Sequence, residues 1–348
     1  MVIVAAGFAA YNACMKTIML ALTFLALILS AGCSGSTGYI IKPVPVNEQL
    51  EETVRMSEPG LFVSDKIVVI DISGIIMNAR SGGLFATGEN PVSLFVEMLD
   101  KAQADPDVKA VVLVINSPGG GVTASDIMYQ RLLQFKAAKK VPVIASIQDV
   151  GASGAYFIAN GADRIMATRN SITGSIGVIV QLFSFAGTMG KIGIESKAIT
   201  SGQFKDMASP FKPLNKEDDA LLQNIVNTYY EQFLGVVAKG RPKLTPQRIR
   251  ELADGRVYTG QDALANGLVD ELGYVEDAEA EAKTLSGAKR VKIVIYHRPL
   301  GYRPNEYATA GSAAVGASKM DVNVNLPNML ELLQPQFLAL WTGATPRK

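Results

Sequence analysis

From residue 66 to residue 297, apolar blocks and polar breaks follow one another in a rhythm that reads as strands and helices in turn. Residues 66–72 (KIVVIDI) form a β-branched apolar run closed by Ser73-Gly74, the pattern of a buried strand. Asn90-Pro91 then supplies a helix cap and a first-turn proline ahead of Val92, Phe95, Val96 and Leu99 at helical spacing. Residues 108–115 (VKAVVLVI) are a second buried strand, and they run through Asn116-Ser117-Pro118-Gly119-Gly120-Gly121 into a helix over about 123–136. The third strand, 143–147, ends in the polar break Gln148-Asp149, after which Gly151-Ala152-Ser153-Gly154-Ala155 opens another helical pattern. Further on, 164–168, 195–200 and 291–296 read as strands, and 185–190, 216–238, 245–253 and 261–266 as helices, the last closed by Gly267. Alternating strands and helices joined by short glycine turns predict an α/β layer fold.

The two ends read differently. Met15-Lys16 followed by sixteen mostly apolar residues, 17–32, has the layout of an export signal and is shorter than the roughly 20 residues of a spanning helix. Ser30-Ala31-Gly32-Cys33 resembles a lipoprotein processing box that would lipidate Cys33, with Ser30 where leucine is usual. A plain signal peptide or an uncleaved anchor is the alternative, and Met15 competes with Met1 as the start. These features divide the chain into a signal over 1–33, a polar, proline-containing tether over 34–60, a main domain over 61–300 and a tail over 301–348. The tail ends in an apolar stretch, 329–341, suited to docking on its own domain or on a neighbouring subunit.

Charge and rare residues then narrow the chemistry. The chain carries 33 basic and 32 acidic residues, and loss of the signal with its single Lys16 leaves 32 of each, which argues against nucleic acid as partner. Its two cysteines are Cys14 and Cys33, and His297 is its one histidine. That inventory excludes a disulfide framework, a zinc site of the usual Cys/His kind and a Cys–His dyad in the body of the chain. No metal or cofactor is expected.

Ser153 is the candidate nucleophile, because a hydroxyl held among small residues at a strand-to-helix bend is exposed to an incoming carbonyl. The glycine loop 119–121, one strand–helix unit earlier, lacks both the dinucleotide and the phosphate-loop fingerprints. It reads either as a tight turn or as a source of N–H donors for an oxyanion. The residues leave the base open. His297, with Asp270 or Glu271 as its acid, would give a Ser–acid–His order, although Gly151 to Ala155 lacks the second glycine of a nucleophile elbow. A lysine would serve only if burial and the absence of carboxylate partners kept it neutral. Lys205, between Phe204 and Met207, sits in a less polar setting than most lysines here, and Asp206 beside it would point away in extended chain.

Four blocks in order, Asn116-Ser117-Pro118-Gly119-Gly120, Gly151-Ala152-Ser153-Gly154-Ala155-Tyr156, Ser201-Gly202-Gln203-Phe204-Lys205-Asp206 and Asp254-Gly255-Arg256-Val257-Tyr258-Thr259-Gly260, resemble the SppA-type (signal peptide peptidase A) family of serine peptidases. The likeness spans about residues 66–273 and corresponds to the single-length form of the family. It implies a ClpP/crotonase-like α/β fold of repeated ββα units with glycine-rich strand-to-helix turns. It also implies a Ser–Lys dyad: Ser153 as nucleophile, Lys205 as general base, Ser175 orienting the lysine, and backbone N–H groups of Gly119 or Gly120 and of Gly154 as the oxyanion hole. The family's substrates are remnant signal peptides and other extended apolar segments near a membrane. The expected setting is the cell envelope, membrane-anchored with the catalytic domain outside the cytoplasm, in a homo-oligomer whose subunits can share the dyad. A crotonase-like acyl-CoA enzyme and a non-catalytic envelope scaffold are the competing readings; the export signal argues against the first and the intact Ser153, Lys205 and Ser175 against the second.

Overall fold

The structure is a computed structural model and describes residues 49–79, 82–83, 86–87, 89–213, 215–299 and 337–340, all within one compact unit, Val46–Lys348. The chain runs through β1 (Glu51–Ser57), β2 (Lys66–Ser73), the antiparallel pair β3 (Gly82–Gly83) and β4 (Ala86–Thr87), and α1 (Pro91–Ala104). β5 (Val108–Ser117), β6 (Gly119–Gly121), α2 (Val122–Lys139), β7 (Val143–Ala152), α3 (Gly154–Ala159), β8 (Arg164–Ala167), β9 (Ile172–Gly174) and β10 (Ile179–Val180) follow. The remainder is α4 (Ala186–Lys191), α5 (Lys216–Gly240), α6 (Pro246–Leu252), β11 (Val257–Thr259), α7 (Gly260–Ala265), β12 (Glu271–Leu272), α8 (Val275–Ser286), β13 (Lys292–His297) and β14 (Phe337–Leu340).

The main sheet has the order β1-β13-β2-β5-β7-β8-β12, parallel throughout except at the antiparallel edge strand β1, and β9 continues beside the end of β7 with β11 antiparallel to it. The middles of its central strands, 67–70, 110–115 and 143–145, are apolar on both faces because both faces are covered. Val68, Ile70, Val111, Leu113 and Ile115 face one cluster, with helices α1, α2, α3 and α5 packed over it. Ile67, Val69, Ala110, Val112 and Val114, the alternate residues of the same strands, face Val275, Ala278 and Ala282 of α8. α1 begins as its sequence predicts, the Asn90 side chain accepting from the N–H groups of Val92 and Ser93 at 3.0 and 3.3 Å. This is the α/β fold expected of the strand and helix pattern.

Three stretches differ from the sequence reading. Residues 51–57, assigned to the tether, form β1, paired with β13 from Glu51↔His297 to Ser57↔Lys292. An edge strand keeps one side in water, so its charged residues disguise it; Arg55 is tied to Glu279 of α8. Residues 195–200 are not a strand: all six are exposed, Ile199 to 94%, and among the described residues no neighbouring edge takes their main chain. β7 extends through the polar pair Gln148-Asp149 to Ala152, because Asn116 of β5 bridges that break, donating to Asp149 at 3.2 Å and accepting from Val150 N–H at 3.3 Å.

Candidate active site

The parallel order of β5 and β7 brings their carboxyl ends together, Ser117 lying opposite Gly151. The two turns that follow, the glycine loop and the Ser153 bend, therefore share one end of the sheet, where ligands of open α/β sheets bind. At the bend Ser153 has φ 55° and ψ −118°, a backbone region that costs a side-chain-bearing residue about 1–3 kcal/mol. Its surroundings hold it there. The Ser153 N–H donates to the Gly174 carbonyl at 2.7 Å, and its carbonyl accepts from Phe157 N–H at 2.8 Å. A Cβ on Gly151 would lie 2.6 Å from the Ile147 side chain, and one on Gly154 would strike the Ser125 hydroxyl. The small residues around Ser153 are thus required by packing, and they let main chain approach main chain.

The glycine loop is fixed by the backbone of Ile76. Ile76 N–H donates to the Gly119 carbonyl at 2.9 Å, and Gly121 N–H donates to the Ile76 carbonyl at 2.8 Å. Gly119 N–H donates to the Ser117 hydroxyl at 3.1 Å. Gly119 itself has φ 95°, and a Cβ there would stand 2.6 Å from the Gly154 nitrogen. The Gly120 nitrogen lies 3.2 Å from where a Cβ of Gly154 would be. The loop and the bend are therefore packed directly against each other.

Ser175 reaches the same place from β9. Gly174 and Ser175 have φ of 81° and 48°, and the Ser175 N–H is held by the Arg256 carbonyl at 2.8 Å. Ser153 and Ser175, respectively 1% and 8% exposed, both line a cavity of about 410 Å³. Ile176, Val178 and Ile179 form part of its wall, α5 contributes Gln223, Val226, Asn227 and Tyr230, and β14 contributes Leu338 and Leu340. The α5 contribution was readable as a three- and four-residue spacing on one helix face; that of β14 carried no such signal.

Lys205 does not line this cavity. It is exposed in a series of turns over 201–208, its N–H donating to the Gly202 carbonyl at 3.1 Å. Its side chain makes no hydrogen bond or ion pair among the described residues, while the neighbouring Asp206 is taken up by Lys212 at 2.9 Å. Lys212 also meets Asp218 at 2.7 Å, and these two carboxylates hold its ammonium above the ordinary lysine value.

His297 is removed from consideration as the base. It lies on β13, separated from β7 by β2 and β5, and its ring is bonded to the Thr53 hydroxyl at 2.6 Å and to the Arg298 carbonyl at 2.7 Å. Asp270 is engaged with Arg241 and with Ile165 N–H, each at 2.8 Å, and Glu271 is exposed on β12. Tyr156, one turn into α3, donates to the Leu268 carbonyl at 2.7 Å, and burial pushes its phenol far above the ordinary value. Among the described residues no three His, Cys, Asp or Glu side chains gather as a metal site. A second cavity, of about 380 Å³ beside Leu61, Phe62 and Arg290, shares no residue with the first. Cys33 lies outside the described residues.

The sequence profile of peptidase family S49 matches residues 135–289. A protein of Enterococcus faecium provisionally named signal peptide peptidase SppA is 38% identical over 232 residues, 67% of this chain and 66% of that protein. One of Methanocaldococcus jannaschii, provisionally named a protease, is 38% identical over 238 residues, covering 68% of this chain and 76% of its own length. Protease 4 of Haemophilus influenzae is 37% identical over 223 residues, 64% of this chain but 35% of that longer protein.

Proposed function

Because the chain belongs to the SppA-type serine peptidases of family S49, in the ClpP/crotonase-like superfamily, we propose that it is an envelope endopeptidase with a Ser–Lys dyad. The observation that carries this reading is Ser153 itself: a buried residue on a strained strand-to-helix bend, next to a glycine loop packed against that bend and lining a cavity. Ser153 Oγ attacks the substrate carbonyl and Lys205 Nζ takes its proton. The negative charge on the former carbonyl oxygen is met by the N–H groups of Gly120 and Gly154, Gly119 being engaged with Ser117. Lys205 then returns the proton to the departing amine, and water hydrolyses the ester left on Ser153. Ser175 orients the lysine from across the cavity.

The position of Lys205 supports a dyad completed by a second copy of the chain. The segment around it, 183–211, exposes Phe183, Phe185, Ile192, Ile194, Ile199, Phe204 and Phe211, an apolar surface of the kind that a neighbouring subunit covers. Covering it would bury Lys205, whose side chain makes no ion pair among the described residues. The substrates proposed are remnant signal peptides and other extended apolar segments. An anchor at the N-terminus, through Cys33 or the apolar run before it, would hold the domain beside them on the outer side of the membrane. Among the described residues no helix is long and apolar enough to cross a membrane.

The test is hydrolysis of an apolar peptide by purified protein. Ser153→Ala and Lys205→Ala should each lower kcat/KM by on the order of 1,000-fold or more, and an equimolar mixture of the two should regain activity. Hydrolysis that persists in Ser153→Ala refutes the nucleophile, and inactivity of the mixture refutes the shared dyad. Mass spectrometry of the mature N-terminus decides whether Cys33 carries lipid.

A further inference from the structure

Ser125 is a buried hydroxyl, 1% exposed, that the proposed chemistry does not use. It lies in the first turn of α2, four residues after Gly121, whose carbonyl accepts its Oγ–H at 3.0 Å. The same oxygen is turned toward the Ser153 bend. A Cβ on Gly154 would collide with Ser125 Oγ before any other atom, and the Gly120 nitrogen would be 3.2 Å from it. The hydroxyl therefore sits between the glycine loop and the bend, against main chain on both sides. Its placement is the first layer of a seam between α2 and the α3 segment. Four residues on, Tyr129 meets Phe157 edge to face with ring centroids 5.2 Å apart, and in the next turn a Cβ on Gly161 would stand 2.9 Å from Leu132. Residues 125, 129 and 132 share one face of α2 and meet 154, 157 and 161 in turn. The second and third layers are apolar, and the first is polar. α2 begins at Gly121 without a side-chain cap, and Ser125 Oγ supplies that carbonyl with a bond from within the helix.

The other ties of the loop run away from the bend. Ile76 bonds to Gly119 and Gly121, and the Ser117 hydroxyl, buried at the end of β5, accepts from Gly119 N–H at 3.1 Å and donates to the Gly74 carbonyl at 2.6 Å. These contacts fix the loop to residues 74–76 and leave its distance from Gly154 to the packing between them. That distance matters because the two oxyanion donors stand on different elements, Gly120 on the loop and Gly154 at the bend. Both must come within about 2.7–3.1 Å of one oxygen. We propose that Ser125 is a positioning residue for the oxyanion hole: bonded to Gly121 and packed against Gly154, its hydroxyl sets the spacing of the two N–H donors. This role rests on the reading of Ser153 as nucleophile with Gly120 and Gly154 as donors. Ser125 touches no reacting atom and acts through the main chain on either side of it. Alanine there leaves a gap of one oxygen into which the loop or the bend relaxes, whereas cysteine forces a larger atom into the same place. Either displacement carries a donor off its line.

The experiment measures Ser125→Ala and Ser125→Cys in the full chain, beside the unaltered protein and Leu132→Val, which loosens the same seam two layers from the bend. Ser125→Cys keeps the position filled, so it carries the test if the alanine variant does not fold. The substrate is an apolar peptide, and the probe of the oxyanion hole is the corresponding peptide aldehyde. Ser153 Oγ adds to the aldehyde carbon, the hydroxyl proton passes to the base, and the C=O double bond becomes a single bond whose oxygen takes the place of the oxyanion. Both Ser125 variants should lower kcat about 10-fold with KM within about twofold, because displacing a donor costs less than the roughly 100-fold of losing it. They should weaken binding of the aldehyde by about the same factor. Binding of the uncleaved peptide, followed by anisotropy in a Ser153→Ala background, should stay the same. Leu132→Val should lower the thermal midpoint yet leave kcat and aldehyde affinity within about twofold. Ser125 variants with kcat and aldehyde affinity within about twofold of the unaltered protein overturn the proposal and leave the peptidase reading standing. An equal loss in Leu132→Val does the same, since it would assign Ser125 to general packing. An unaltered chain that neither cleaves the peptide nor binds the aldehyde sinks the peptidase reading, and the positioning role with it.

Discussion

Gly120→Ala tests how closely the oxyanion loop depends on the absence of one methyl group. The added Cβ would stand 2.6 Å from the Ile76 carbonyl carbon and 2.7 Å from the Ile76 nitrogen, about 1 Å inside the ~3.5 Å at which such atoms rest. Both neighbours are backbone, so no side chain can rotate out of the way. Either β6 moves away from Ile76 or Ile76 moves away from β6. Both movements break the Ile76–Gly119 and Gly121–Ile76 hydrogen bonds, at 2.9 and 2.8 Å, for a local cost of about 2 kcal/mol at ~1 kcal/mol each. The larger effect is on rate. A shift of about 1 Å carries the Gly120 N–H away from the developing oxyanion, and the loss of one such donor lowers kcat by roughly 100- to 1,000-fold. The assay is kcat and KM on an apolar peptide beside the thermal midpoint. The expected pattern is a midpoint lowered by a few degrees with kcat down by two orders of magnitude or more. A kcat within about threefold of the unaltered enzyme would refute the reasoning, because it would mean that the loop can move without consequence for the transition state.

Asp270→Ala leaves the Arg241 guanidinium, 5% exposed, without its carboxylate and frees Ile165 N–H; the expected loss is about 3 kcal/mol, read in a urea titration as a lower midpoint at unchanged slope. Tyr156→Phe strands the Leu268 carbonyl in the core beneath α3 and should cost about 1–2 kcal/mol with kcat nearly unchanged; a large fall in kcat would instead assign the phenol a chemical part. The Lys283 ammonium and Val291 N–H hold Glu58 below its ordinary 4.5, so its stabilisation is present above that pH and disappears as the pH falls through the lowered value. The gap in thermal midpoint between the unaltered chain and Glu58→Gln should accordingly be open at pH 7 and close as the pH falls through the lowered value, and a gap that widened toward acid would reverse the sign of this linkage.

How far each part of the site was legible depended on what kind of force places it. β2, β5 and β7 were plain in the sequence because parallel strands covered on both faces carry apolar residues on both faces through their middles. Ser153 was legible for a related reason, since Gly151 and Gly154 have no space for a side chain and a hydroxyl among such residues stands out. β1 was hidden, because an edge strand half in water carries charges such as Arg55 whose partner Glu279 lies far along the chain. The segment 195–200 erred the other way: its local pattern suits a strand, but a strand needs a partner edge, and these residues have none among those described.

Lys205 marks a deeper limit. Its resemblance to a family motif named it, yet within one chain it is exposed and lines no part of the Ser153 cavity. On the proposed reading its chemistry would be decided by whatever covered the exposed apolar residues from Phe183 to Phe211, which periodicity in a single chain does not encode. β14 lies beyond the pattern for the opposite reason. Main-chain pairing on both edges accepts almost any sequence, so only the small Ala339 between two leucines hints at where it sits. The Ser153 bend and its glycines are thus written into local sequence because steric demands there are absolute, whereas the surroundings of Lys205 and of β14 depend on surfaces that meet only after folding. Substitutions at Ser153 or Gly120 should therefore act on chemistry in every form of the protein. If Lys205 is the base of a shared dyad, substitutions there should act according to which chain carries them, which is why mixing experiments, rather than single-chain mutants alone, decide its role.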